Sequence, residues 1–181
     1  MVNIIFNAAL ICYLLSGLGD TSYLVFRNSM VKQFSVYLLG LGLFSHTVTI
    51  SLRSIDTGHG PYTTGFEIAS FLAWVIVVIY FFIEFKYKIK DLGAFVIPVV
   101  FLILLFSAFQ SREFSLIDES STMFWLTMHR TLSIIGYAAF AIAFGAAVMY
   151  LIQENQVKTK KLGVMYFRMP SLEVLDNLNH K

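Results

Sequence analysis

Residues Phe124 to Ile152, FWLTMHRTLSIIGYAAFAIAFGAAVMYLI, run for 29 residues with Arg130 as the one charge. A helix needs roughly 20 apolar residues to cross a hydrocarbon core about 30 Å thick. This stretch therefore reads as a transmembrane helix. Four further runs have the same character, about Ile4–Phe26, Phe34–Leu52, Phe66–Phe85 and Leu92–Phe109, each bounded by charges or turn residues. Charged residues make up 13% of the chain, against about 25% in ordinary soluble domains. The expected architecture is all-α: an integral membrane bundle of five helices over residues 1–161, followed by a tail over 162–181. In that tail Leu172, Leu175 and Leu178 recur at helical spacing after the N-cap candidate Ser171. It reads as a cytoplasmic amphipathic segment lying on the membrane or on a partner, or as a linker to a missing second half.

The basic residues are sorted between the two sides. Arg27, Lys32, Lys86, Lys88, Lys90, Lys158, Lys160, Lys161, Arg168 and Lys181 fall on one side, and only Arg53, Arg112 and Arg130 on the other. The positive-inside rule then puts the N-terminus outside and the C-terminus in the cytoplasm. The first run has no positive leader segment and no clear cleavage site, so it reads as a retained span. Cys12 is the sole cysteine, which excludes a disulfide framework and a paired-thiol metal site. The net charge of +2 is no nucleic-acid signal.

His129 lies five residues inside the fifth run, about 7–8 Å below its outer end. Ionisable groups inside spans are rare and are functional hypotheses by default; the plainer alternative is an interfacial imidazole meeting water or a headgroup. Gly136, Ala139, Ala143 and Ala147 share one face of the same helix and suit close approach of a neighbour. His46 lies about 10 Å below Arg53 on the second run, at a depth similar to that of His129. Two such imidazoles would ligate one haem if their helices were neighbours; otherwise His46 hydrogen-bonds a neighbouring helix. His59 falls in a Gly/Pro turn and reads as a solvated loop histidine, with a ligand role as the alternative. Thr64-Gly-Phe-Glu67 predicts a capping box. Asp20 reads as a carboxylate near the cytoplasmic interface, paired with Arg27 or another helix, with a proton relay as the alternative. Trp74 is helix-packing filler or one wall of a flat apolar site.

Several stretches together resemble the cytochrome c assembly family of membrane proteins, of the CcsA and HemX type. They are Gly58-His59-Gly60-Pro61 with Glu67, Phe71 and Trp74; Asp91 to Pro98; Met128-His129 with Gly136-Tyr137-Ala138; and Pro170-Ser-Leu172 through Leu178. The resemblance implies an inner (plasma) or thylakoid membrane protein that handles haem, non-covalent and b-type, at the outer face and presents it to apocytochrome c. It implies His129 as one axial ligand. The family's second ligand follows a Trp-rich (WWD) segment, and no Trp-rich segment follows His129 in this chain. The expectation is the N-terminal part of an assembly module, at most a partial haem lyase not active alone. The other ligand would come from a second subunit or segment. Trp125, Trp74 and nearby Phe residues would line the slot, and Arg130 would meet a propionate, since guanidinium suits carboxylate. The alternatives are a small membrane subunit of a larger redox complex, with haem b between His46 and His129 or purely structural, and a HemX-like regulator of haem synthesis.

Overall fold

A computed structural model describes residues 2–112 and 124–159, and every described element is helical. The helices are α1 (Val2–Phe26), α2 (Ser29–Thr57), α3 (Gly65–Tyr87), α4 (Gly93–Ala108) and α5 (Phe124–Lys158). The expected tail over 162–181 lies outside the described residues. Four helices are long and apolar enough to cross a membrane. The fourth in chain order, α4, is equally apolar but has 16 residues. At 1.5 Å per residue it rises about 24 Å, short of a core of about 30 Å.

The helix ends follow from local chemistry. Asn28 caps α2 by accepting from the Met30 amide at 2.9 Å. Gly58 closes α2 at φ 72°, in the left-handed region that glycine enters without steric cost. The capping box at α3 forms as expected, with Thr64 Oγ1 accepting from the Glu67 amide and the Glu67 carboxylate accepting from the Thr64 amide. Two basic residues take the left-handed conformation without being glycine, Arg27 at φ 55° and Lys88 at φ 56°. Both end helices, their amides donating to Tyr23 and Glu84 carbonyls.

Helices α1 to α4 enclose the core, with α1 against α2 and α4, and α3 against α4 and α2; α5 lies outside, on α3 and α4. Phe6, Tyr13, Leu39, Ile76, Tyr80, Ile97 and Leu104 fill the centre. Gly42 makes the α1–α2 contact possible, since a Cβ there would sit 2.7 Å from the Tyr13 ring. The bundle face of α5 is Ile134, Ala138, Ile142, Gly145, Ala146 and Met149. No described helix packs closely against Gly136, Ala139 or Ala143, the face that the small-residue spacing marks for a neighbour. Ala139 and Ala143 are exposed, and a Cβ at Gly136 would meet nothing within 4 Å. Within the bundle the close approach is made on the opposite face of α5, where Gly145 lies against Val96.

The two ends of the bundle are tied by different groups. At one end Arg53 joins α2 to Glu67 of α3, and its Nη2 donates to the Arg112 carbonyl at 3.3 Å. Arg112 in turn reaches Asn3 of α1. At the other end Lys32 lies 3.1 Å from Asp20 and 2.8 Å from Glu84, with its side chain 6% exposed. Its Nζ also donates to the Tyr80 hydroxyl at 3.3 Å. A Cβ at Gly93 would collide with Asp20 and Tyr80, so glycine there lets α4 close over the cluster. Asp20 thus pairs with Lys32 of another helix, and Arg27 pairs with Asp91 at 2.7 Å. Burial pushes the Asp91 carboxyl above the ordinary carboxylate range, with Arg27 opposing the rise.

Candidate functional site: the imidazoles and the outward face of α5

Three histidines lie among the described residues, and the structure treats each differently. His46 is fully buried. Its Nδ1 lies 3.2 Å from the Tyr13 hydroxyl and its Nε2 2.8 Å from Ser70 Oγ, so both ring nitrogens are engaged. The imidazole joins α1, α2 and α3. Phe6 meets its ring edge-on at 6.5 Å. Its environment is the hydrogen-bonded alternative, with no nitrogen left for a metal.

His59 is drawn into the structure rather than solvated. Its side chain is 9% exposed. Nδ1 lies 2.8 Å from the Gly60 carbonyl, 3.1 Å from Thr63 Oγ1 and 3.9 Å from Glu67 Oε2. Glu67 organises this corner. One oxygen meets Arg53 Nε at 2.8 Å, and the other accepts the amides of Thr63 and Thr64 at 3.1 and 3.2 Å. The carboxylate therefore holds the loop, the α3 N-terminus and α2 together.

His129 is the exposed one, on the first turns of α5, and has no hydrogen bond or ion pair among the described residues. Trp125 and Leu132, one turn to either side, share its face and are 78% and 59% exposed. Phe124 meets the Trp125 ring edge-on at 5.6 Å. Counting 100° per residue, this face lies opposite the bundle face of α5 and continues into Gly136, Ala143 and Ala147. Arg130 is half-buried, stands roughly 100° round from His129, and its Nη1 is buried without a hydrogen-bond partner. It flanks the imidazole and does not share its face.

The remaining expected site residues are not brought to His129. Trp74 stacks on Phe71 at 5.8 Å and donates from Nε1 to Thr47 Oγ1 of α2 at 2.8 Å. Helices α2 and α5 make no contact. The bis-histidine haem between His46 and His129 therefore lacks its geometry: the helices are apart, and the His46 nitrogens are occupied. Lys32 was not anticipated inside the bundle. Its position one turn into α2, twelve residues after Asp20, was the available signal.

Residues 63–181, well over half of the chain, match the family model described as cytochrome C assembly protein. The chain belongs to that family. The matched region covers α3, α4 and α5, and with them Trp74, Trp125, His129 and Arg130. The cytochrome c biogenesis protein CcsA of Chlorella vulgaris is 30% identical over 117 residues, covering 62% of this chain and 37% of that protein. Protein HemX of Brevibacillus brevis is 25% identical over 179 residues, or 98% of this chain and 65% of the relative. CcsA of Guillardia theta is 26% identical over 203 residues, covering 99% and 65%. The chain thus spans between 37% and 65% of the length of these relatives. No solved structure matches it. Membership and the long apolar helices together make this a multi-pass membrane protein of the cytochrome c assembly family.

The family implies haem handling, and the outward face of α5 fits one half of a haem site. It offers an imidazole with no competing partner among the described residues, set between an exposed indole and an exposed leucine. Neutral imidazole is a common iron ligand, and flat apolar side chains suit a porphyrin face. A second wall and a second axial donor are not assembled opposite it among the described residues.

Proposed function

We propose that this protein is a haem-handling subunit of cytochrome c assembly that presents haem at the outer membrane face for attachment to apocytochrome c. The observation that carries the reading is the state of the three imidazoles. His46 and His59 are spent on structure, whereas His129, in the family-matched region, is exposed and without a partner among the described residues. His129 supplies one axial nitrogen; Trp125 and Leu132 cover the ring on either side and keep water from it. Arg130, at the edge of that face, meets a propionate. Haem contributes the iron and the vinyl groups to which cysteine thiols add, while the protein binds, orients and shields. The sorting of basic residues supports an orientation with this end of α5 on the non-cytoplasmic side.

Purified protein reconstituted with haem tests the assignment. His129→Ala is expected to abolish the Soret band of an imidazole-ligated haem. His46→Ala is expected to lower stability while leaving haem per folded molecule unchanged. Equal haem retention in wild type and His129→Ala contradicts the role given to His129.

A second wall follows from the same face. The stripe Gly136, Ala143 and Ala147 is open to the surroundings of the bundle and lies directly beneath His129 on the helix. Small residues allow close helix approach in lipid. A partner helix seated there would bring the other ligand to the haem. Ala143→Leu, at an exposed position that leaves the bundle itself intact, is expected to reduce haem retention several-fold when partner and protein are co-expressed. Unchanged retention, with the partner still co-purifying, counts against this docking mode.

A further inference from the structure

At the Lys88 end of the bundle, α2 and α3 border an open groove of about 470 Å³. Val36 of α2 and Phe81 and Phe85 of α3 give it an apolar lining, and Glu84, Lys88 and Lys90 stand at its mouth. The acidic member is turned to the bundle interior, where Glu84 Oε1 lies 2.8 Å from Lys32 Nζ, an ammonium it shares with Asp20. Lys88 and Lys90 are exposed and have no ion pair among the described residues. The groove therefore combines a greasy wall with two exposed ammonium groups at the point where a membrane helix ends.

Lys88 adds a second observation. Its φ of 56° is a conformation that glycine adopts freely and that costs a residue with a Cβ. Glycine would end α3 with less strain, so the side chain is held here at a cost to local stability. Residues kept in sparsely populated backbone regions point to a use for the side chain.

We infer that this groove binds an anionic phospholipid, one acyl chain lying along Val36, Phe81 and Phe85 and the phosphate between Lys88 and Lys90. Charge complementarity selects the anionic headgroup, and the apolar lining selects a lipid over a free phosphate. Basic pockets between membrane helices recognise lipid headgroups in this way, and lysine stems lie along apolar surface while their ammonium groups reach the interface. This site is independent of the haem reading, being at the opposite end of the bundle from His129.

The test is thermal unfolding of the purified full chain in nanodiscs of phosphatidylcholine alone or with added phosphatidylglycerol. Phosphatidylglycerol is expected to raise the wild-type Tm by about 3–6 °C. Lys88→Gly is expected to match or exceed the wild-type Tm in phosphatidylcholine, because strain is relieved, yet to lose most of the phosphatidylglycerol shift. Val36→Trp, which fills the groove and leaves both lysines, should lose it too. Lys158→Ala, an exposed cation on α5, should keep it. The inference is overturned if Lys88→Gly with Lys90→Ala retains the full shift, if Lys158→Ala removes as much of it, or if soluble glycerophosphate or a neutral isoprenoid quinone stabilises equally.

Discussion

Lys32→Met is expected to destabilise the bundle by about 3–5 kcal/mol, the range for breaking a buried ion pair from one side. Lys32 lies between Asp20 of α1 and Glu84 of α3 at 3.1 and 2.8 Å, and its side chain is 6% exposed. Removing the ammonium leaves two carboxylates facing one another in a region closed by Gly93 and Tyr80. Asp20 is almost wholly shielded from water, so its uncompensated charge beside Glu84 dominates over the gain in hydrophobicity from methionine. The triple variant Asp20→Asn, Lys32→Met, Glu84→Gln removes all three charges and should recover most of the loss, because a buried ionic network is often replaceable as a unit. Unfolding in detergent, followed by circular dichroism, reads both. A Lys32→Met protein within about 1 kcal/mol of wild type, the scale of exposed pairs, would show that the cluster contributes little.

The second large effect is at the opposite end. Glu67→Ala deletes the partner of Arg53 and the acceptor for the Thr63 and Thr64 amides in one step. Loss of the cap costs about 1 kcal/mol, and loss of the buried carboxylate beside a guanidinium adds about 3 kcal/mol. The sum, about 4 kcal/mol, should appear as a drop in Tm together with protease cleavage in the loop carrying His59, whose contacts converge on this carboxylate. Glu67→Gln retains one acceptor for the amides and should lose about half as much. If Glu67→Ala and Glu67→Gln unfold alike, charge rather than capping carries the effect; if neither shifts the Tm, the corner is not a tie between α2 and α3.

What was legible in the chain was what local chemistry writes there. The apolar runs, the turn at Gly58 and the Thr64–Glu67 capping box each depend on neighbours a few residues apart, and each is present. The partners of charged and small residues were not legible, because they are chosen by helices far apart in sequence. Asp20 prefers Lys32 to the nearer Arg27, since Arg27 ends α1 in a left-handed turn that directs it to Asp91. On α5 two faces carry small residues, and spacing alone does not tell them apart. Gly145 against Val96 decides the matter and turns Gly136 and Ala143 outward. His46 and His129 share a depth by counting residues, yet α2 and α5 make no contact, which no count along the chain reveals.

Haem titration of His129→Gly, with and without added imidazole, tests the account most directly. Wild type is expected to develop a Soret band at stoichiometric haem, the variant to lose it, and millimolar imidazole to restore it by occupying the space the side chain left. His46→Ala should titrate like wild type once scaled to folded protein. A His129→Gly protein that binds haem as wild type does, or whose loss imidazole fails to repair while the fold remains intact, would contradict the role assigned to this imidazole.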